Sequence, residues 1–357
     1  MARLRQLTEG DTYRACDWNL RRDAAGRAYW LAHFRQHLGL LVTQIREQYP
    51  VATPERIEQF RADYLATMQS LDTEPEQYNR IDVLLIDELR HDLLTRYGFE
   101  DPFRGIKLRE NAAALRALPR VLAELDSASP EATLELLATS LLAGNLFDLG
   151  APATTELYRN RGLDFWQMRA ALPPRPWFID DLDRWRRRWL EGEPYQHVLL
   201  FADNAGPDIC LGCLPLARQM LRAGARVTLA ANTAPALNDV TARELTDLAA
   251  RVSPMDNTLA RALADDRLAI VASGARAPLI DLTQLSPDCV ERAADADLIL
   301  LHGMGRAIES NFHARFSCDA LWVAVLKDEA VAARVGGRLF DCIFRFQPGG
   351  PSIEERL

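Results

Sequence analysis

Lysine is almost missing from this chain: of its 42 basic residues only Lys107 and Lys327 are lysine, leaving 40 arginines. Against that bias, a retained lysine marks a place that wants a compact point charge, such as one facing a phosphate oxygen, rather than a planar fork. Lys327 closes an apolar run and is read that way, with Lys107 as a second candidate. Other absences exclude whole classes. No apolar run approaches the roughly 18 residues of a membrane span. The first residues carry no apolar signal-peptide core, so the expected compartment is the cytoplasm. With a net charge of −8, the chain lacks the basic excess of a nucleic-acid or anionic-membrane binder. Its one arginine-rich run, Asp183-Arg-Trp185-Arg-Arg-Arg-Trp189, reads as a helix that buries its tryptophans and solvates its arginines. The six cysteines include Cys210-Leu-Gly-Cys213, but no second cysteine pair or spaced histidine pair completes a zinc site. They read as buried thiols. There is no P-loop signature, and Gly303-Met-Gly305 lacks the third glycine of a dinucleotide-binding turn.

What is present is a repeated pattern. Four apolar runs end in small, acidic or amide residues. They are His197-Val-Leu-Leu-Phe-Ala-Asp203-Asn204, Arg226-Val-Thr-Leu-Ala-Ala-Asn232, Asp297-Leu-Ile-Leu-Leu-His302-Gly303, and Leu321-Trp-Val-Ala-Val-Leu-Lys327. A short Val/Leu/Ile run followed by polar residues and then a helical pattern reads as a buried parallel strand feeding a helix. Six strands are expected, at 197–203, 226–232, 268–274, 297–302, 321–327 and 339–346. The fold class is α/β: a three-layer α/β/α sandwich with a mostly parallel, Rossmann-like sheet, plus an N-terminal helical domain. Residues 1–23 read as a loosely packed tail, 24–172 as the helical domain, and 173–196 as a proline-stiffened linker and helix. Residues 197–348 are the metal-binding domain and 349–357 a C-terminal tail.

Ligands of an open α/β sheet bind beyond the carboxyl ends of its strands. Asp203, Asn204, Asp239, His302 and Lys327 should therefore gather on one rim. Hard oxygen donors beside a cation suggest a dication, Mg²⁺ or Mn²⁺, held by Asp203, Asn204 and Asp239 and gripping a phosphate. Pro207 suits a first helical position, so the turn after Asp203 also offers N–H groups to an anion. Asp239 precedes the capping-box pattern Thr241-Ala-Arg-Glu244, so it could instead be a helix cap. Arg306 and Glu309 share a helix face, toward substrate or toward each other. His302 is either a core histidine or part of the site. Asn145 and Asp148 lie one turn apart on a helical pattern.

Together these segments resemble the metal-dependent damage-control phosphatases, domain-of-unknown-function family 89. The similarity is carried by Phe103-Arg-Gly-Ile-Lys107-Leu-Arg-Glu-Asn111, Gly144-Asn145-Leu-Phe-Asp148, Asp203-Asn-Ala-Gly-Pro-Asp208, Pro235-Ala-Leu-Asn-Asp239, Gly303-Met-Gly-Arg306 and Gly336-Gly-Arg-Leu-Phe. It is greatest to the branch found free-standing in plants and fused behind pantothenate kinase. The resemblance implies the same sandwich, a dication (Mn²⁺, Mg²⁺, Co²⁺ or Ni²⁺) on Asp203, Asn204 and Asp239, and Lys327 against phosphate. It also implies hydrolysis of small phosphorylated metabolites, with 4′-phosphopantetheine and its oxidised forms as the associated substrates. His302 stands where a Glu is expected, and Ala205 where relatives often carry Ser. The expected reaction has a metal-activated water attacking phosphorus, with Lys327 and Asn232 on the equatorial oxygens. Direct attack by Asp203 is the variant. Arg306, Glu309, Lys107 and Asn145 complete the expected phosphate and substrate contacts. The competing readings are a non-catalytic phosphometabolite-binding protein and a carboxyl methyltransferase.

Overall fold

The computed structural model describes residues 1–147 and 164–350, so Asp148 lies outside the described residues. Seven strands form one sheet: β1 (Ile179–Asp180), β2 (His197–Phe201), β3 (Arg226–Ala231), β4 (Leu268–Ala272), β5 (Leu298–His302), β6 (Asp319–Val325) and β7 (Cys342–Gln347). Their order across the sheet is β1-β7-β6-β5-β2-β3-β4. All neighbouring pairs are parallel except β6 with β7. The five residues of β2 and of β5, and all seven of β6, are buried. That explains their continuous apolar runs: each face of the sheet is covered. The chain winds outward in opposite directions from the adjacent strands β2 and β5. This is the switch point at which α/β sheets open a crevice.

Alternate strand residues enter two different cores. Leu199, Phe201, Ile299, Leu301 and Trp322 pack on one side with helices α1 (Ala24–Gln48), α2 (Pro54–Thr73) and α3 (Val83–Arg96). Val198, Leu200, Leu300 and Val323 pack on the other side with most of α4 (Arg104–Ser127) and with α5 (Pro130–Asn145). Further helices are α6 (Phe165–Ala170), α7 (Leu182–Glu191), α8 (Leu214–Arg222), α9 (Ala242–Val252), α10 (Asn257–Ala264), α11 (Pro287–Arg292) and α12 (Glu329–Val335). The expected boundary between a helical domain and the sheet domain therefore does not divide two cores. The N-terminal helices are themselves the outer layers of the sandwich.

Two expectations need correction. Residues 1–23 are not a loose tail: Leu4, Leu7, Tyr13, Cys16 and Leu20 are buried, and bridges join Ala2 to Leu285 and Leu7 to Phe316. Their apolar residues follow no helical or strand period, because each fills its own slot in the layer beneath. The linker at 173–196 is also partly core. Ile179 and Asp180 pair with Ile343 and Phe344 at the sheet edge, and Trp185 packs 5.4 Å from Phe344. A two-residue strand is too short to show an alternation.

Candidate metal and phosphate site

Four adjacent parallel strands, β6, β5, β2 and β3, deliver Lys327, His302, Asp203 and Asn232 to one rim, each at or just beyond its strand end. The segment after β3 then folds back over β2. Val240 N donates to Asp203 O at 2.9 Å, Ala205 N donates to Asn238 O at 2.9 Å, and Asn204 forms a bridge with Asp239. Asp203 and Asp239, distant in sequence, thereby face each other. Asp239 is not the helix cap. Thr241 is, and its capping box with Glu244 forms in full.

The centre of the site is a buried guanidinium. Arg306 donates to a carboxylate oxygen of Asp203, to Asp239 Oδ2 at 2.8 Å and to Asn232 Oδ1 at 2.9 Å. Asn232 Nδ2 in turn donates to Asp239 Oδ2 at 3.1 Å. Asp203 Oδ2 accepts from Asn145 Nδ2 at 2.9 Å and Asn204 Nδ2 at 2.8 Å. Lys327 Nζ donates to the Asn145 carbonyl at 2.9 Å, and Asn145 Oδ1 accepts from Val325 N at 3.1 Å. Asp203, Asn204, Asp239, Asn232, Arg306, Asn145 and Lys327 thus form one hydrogen-bonded network. Arg306, expected to meet substrate, instead sits between the two acidic residues expected to hold metal. That placement is itself a test of the donor set: Asp203 and Asp239 aim their oxygens at one cation. Two buried carboxylates with the Asn204 amide beside them suit a hard dication.

Glu309 lines the same cavity as Asp203 and Asp239. Lys107 does not join the network. It is 1% exposed and ion-paired with Asp101 at 3.0 Å and Glu244 at 2.7 Å. Its point charge ties the start of α4 to the start of α9, a role that two carboxylates arriving from different directions require.

A second buried group lies directly behind the first. Asp208 accepts from Asn204 N at 3.1 Å and Asn204 Nδ2 at 3.0 Å through one oxygen, and hydrogen-bonds His302 through the other. Burial works against ionisation of Asp208, yet His302 and the Asn204 donors hold it below the usual carboxylate range. Cys213 lies within ligand distance of this pair, so Asp208, Cys213 and His302 form a set that could hold a metal. Burial pushes the Cys213 thiol well up. His302 is fully buried, and Asp208 stands between it and Asn204, hydrogen-bonded to both.

Sequence reasoning missed the opposite wall, built by the N-terminal helices. Trp30, His33 and Phe34 of α1 and Asp87 and Arg90 of α3 line the cavity with Asp203 and Asp239. Tyr29 OH donates to Asp328 Oδ2 at 2.8 Å, fixing α1 to the end of β6. A signal existed: Asp87 and Arg90 stand on the same face of α3 as Val83, Ile86 and Leu93, where an ordinary helix is apolar. They pair with each other in the buried state.

Burial pushes the Asp87 carboxyl up to about 6, against the pull of Arg90. Its folded-state value lies above the unfolded 3.8. Asp87 therefore adds stability that is fully present below the unfolded value and is lost as pH rises through about 6. Melting temperatures of wild type and Asp87→Asn, followed from pH 4 to pH 7, should show wild type losing ground to the variant as pH rises. A constant difference would contradict this.

Among the described residues no helix is long and apolar enough to cross a membrane. A profile of the damage-control phosphatase ARMT1-like domain matches residues 34–343. The chain is 38% identical over 295 residues to damage-control phosphatase At2g17340 of Arabidopsis thaliana, covering 82% of this chain and 80% of that protein. It is 38% identical to pantothenate kinase 2 of Arabidopsis thaliana, covering 93% of this chain but 40% of that protein. It is 34% identical to 4′-phosphopantetheine phosphatase of Mus musculus, covering 91% of this chain and 46% of that protein. The chain thus spans less than half the length of two of these three relatives. A crystal structure of a DUF89 family protein from Pyrococcus horikoshii superposes with a TM-score of 0.58 at 19% identity, over 87% of this chain and 96% of that one, and shares the fold. On the match across 34–343 and the similarity to At2g17340, the chain belongs to the damage-control phosphatase family with the ARMT1-like domain.

Proposed function

We propose that the protein is a metal-dependent phosphomonoesterase acting on small phosphorylated metabolites, with 4′-phosphopantetheine or its oxidised forms as the leading substrates. The observation that carries this reading is the convergence of Asp203 and Asp239 on one cation at the carboxyl ends of β2 and β3. Asp203, Asn204 and Asp239 would hold the dication; Asp208, Cys213 and His302 are the alternative set. When bound, a dication supplies charge neutralisation at phosphorus and lowers the pKa of a water. The chain's own residues do the rest. Asn145 orients the Asp203 carboxylate from one side and Asn204 from the other. Asp208 holds the Asn204 amide through its nitrogen, which fixes the direction of its oxygen. Lys327 brings positive charge to the rim where a phosphoryl group carries its equatorial charge; Asn232, the other expected contact, reaches phosphate only by releasing Asp239 or the Ala277 carbonyl. Arg306 donates to both carboxylates and so ties Asp203 to Asp239 within the buried site. The setting is cytoplasmic in this reading.

The test is phosphate release from a panel of phosphomonoesters with Mn²⁺, Mg²⁺, Co²⁺ and Ni²⁺ in turn. One of these ions at 100 times its Kd should also raise stability by about 2.7 kcal/mol, read as a shift in melting temperature. A thermal shift with no turnover on any ester favours the non-catalytic binding reading. Binding of S-adenosylmethionine, read by calorimetry, is what the methyltransferase reading requires.

A further inference from the structure

Two cavities meet at Glu309. The smaller, about 70 Å³, is bounded by Asp203, Asp239, Met304 and Gly305. A water needs roughly 15 Å³ of such space, so this chamber holds on the order of five waters. That is the scale of one phosphate group with its hydration, and nothing longer. The larger cavity, about 490 Å³, falls within the span of small-molecule sites, roughly 300–1,000 Å³. Val83 and Glu309 belong to the walls of both.

The larger chamber exists because residues 9–18 pack down as its wall, opposite the segment 308–314 and helix α12. Val83, Ile308, Val331 and Val335 make its surface partly apolar, while the Thr12 hydroxyl is held by Glu9 O and the Tyr13 hydroxyl by Asn311 and Leu282. Its acidic residues, Glu9, Asp17 and Glu309, outnumber its arginines, Arg14 and Arg334. Arg334 pairs with Asp17 at 2.9 Å and lies 5.1 Å from the Trp18 ring centre, and His313 is 3.7 Å from the same aspartate. Such a wall suits an uncharged chain with hydrogen-bonding groups better than a second anion.

We propose that the larger cavity receives the non-phosphate part of the substrate, with Glu309 and Val83 as its threshold. The preferred substrate class is then a phosphate at the end of a long, uncharged, partly apolar chain, and compact sugar phosphates are poor substrates. This rests on the phosphatase reading for the smaller chamber and adds to it where the tail lies. The N-terminal segment outside the family-matched residues becomes the specificity element.

The experiment fills the larger chamber from two elements, with Thr12→Trp and Val335→Trp. Steady-state kinetics are compared on 4′-phosphopantetheine and on p-nitrophenyl phosphate. Both variants should raise KM for the long ester at least about tenfold, the discrimination a pocket contact gives. They should leave kcat/KM for the short ester within about twofold. Equal effects on both esters, or none on either, overturn the proposal. Calorimetry with pantetheine, which has no phosphate, judges the cavity without turnover. Saturable binding to wild type that both substitutions weaken supports the proposal, and its absence overturns it. If wild type hydrolyses neither ester with any of the four metals, the phosphatase reading falls, and the pantetheine measurement alone decides the cavity.

Discussion

Asp203→Ala should lose about 10³-fold or more in kcat on any phosphomonoester the wild type turns over, together with its metal-dependent rise in melting temperature. The reasoning is geometric. The Asp203 carboxylate accepts from Arg306 through one oxygen and from Asn145 and Asn204 through the other. Removing it takes away a proposed metal ligand and the acceptor that orients two amides. The fold should survive, because Arg306 keeps Asp239 and Asn232 as partners. Circular dichroism should match wild type while Mn²⁺ affinity, read by calorimetry, collapses. Asp203→Asn separates charge from shape and should lose the metal while keeping more stability. Full turnover in the alanine variant would mean that the chemistry takes place elsewhere.

Gly303→Ala should approach the same loss by a different route. Gly303 follows β5 with φ 92° and ψ 153°, a region essentially reserved for glycine, and a side chain there costs about 1–3 kcal/mol. A Cβ at that position would stand 2.0 Å from Asp203 Oδ2 and 2.2 Å from its Cγ. No rotamer of the methyl relieves that contact, so the carboxylate must leave the orientation in which Arg306 and Asn145 meet it. The expected result is a lowered melting temperature and activity reduced by at least about 10²-fold. Gly336→Ala is the control: Gly336 also has positive φ, at 81°, but a Cβ there meets nothing within 4 Å. That variant should lose stability and keep its activity. If both variants behave alike, backbone strain alone explains Gly303 and the close approach to Asp203 is irrelevant.

The rim was readable because the physics that makes it is local. Strands covered on both faces show continuous apolar runs, and each of four runs leads to a polar residue on one rim: Asp203, Asn232, His302 or Lys327. The scarcity of lysine was also informative, since both lysines are buried ion-pairing or hydrogen-bonding groups. It did not tell which of the two belongs to the site. Lys107 serves helix-to-helix attachment, and only the arrival of Glu244 from α9 reveals that. The position of Arg306 was likewise hidden. Its helix turn identifies the residue, but three partners, two at the ends of β2 and β3 and one on the segment that folds back after β3, decide where the guanidinium lies. The wall made by α1 and α3 left one trace, a charged pair on the apolar face of α3. Asp87 and Arg90 satisfy each other, so neither announces a distant partner in sequence. The edge strand β1 was too short for any period to show.

The buried side chains among the first twenty residues also bear on where this chain can be cut. The family profile begins at residue 34, whereas packing places Leu4, Leu7, Tyr13 and Cys16 inside the same core as α1. A truncation guided by that profile alone would strip apolar groups from that core and unroof the larger chamber in one stroke. Lost solubility or altered selectivity in such a shortened chain would report on missing architecture, not on the rim at the strand ends.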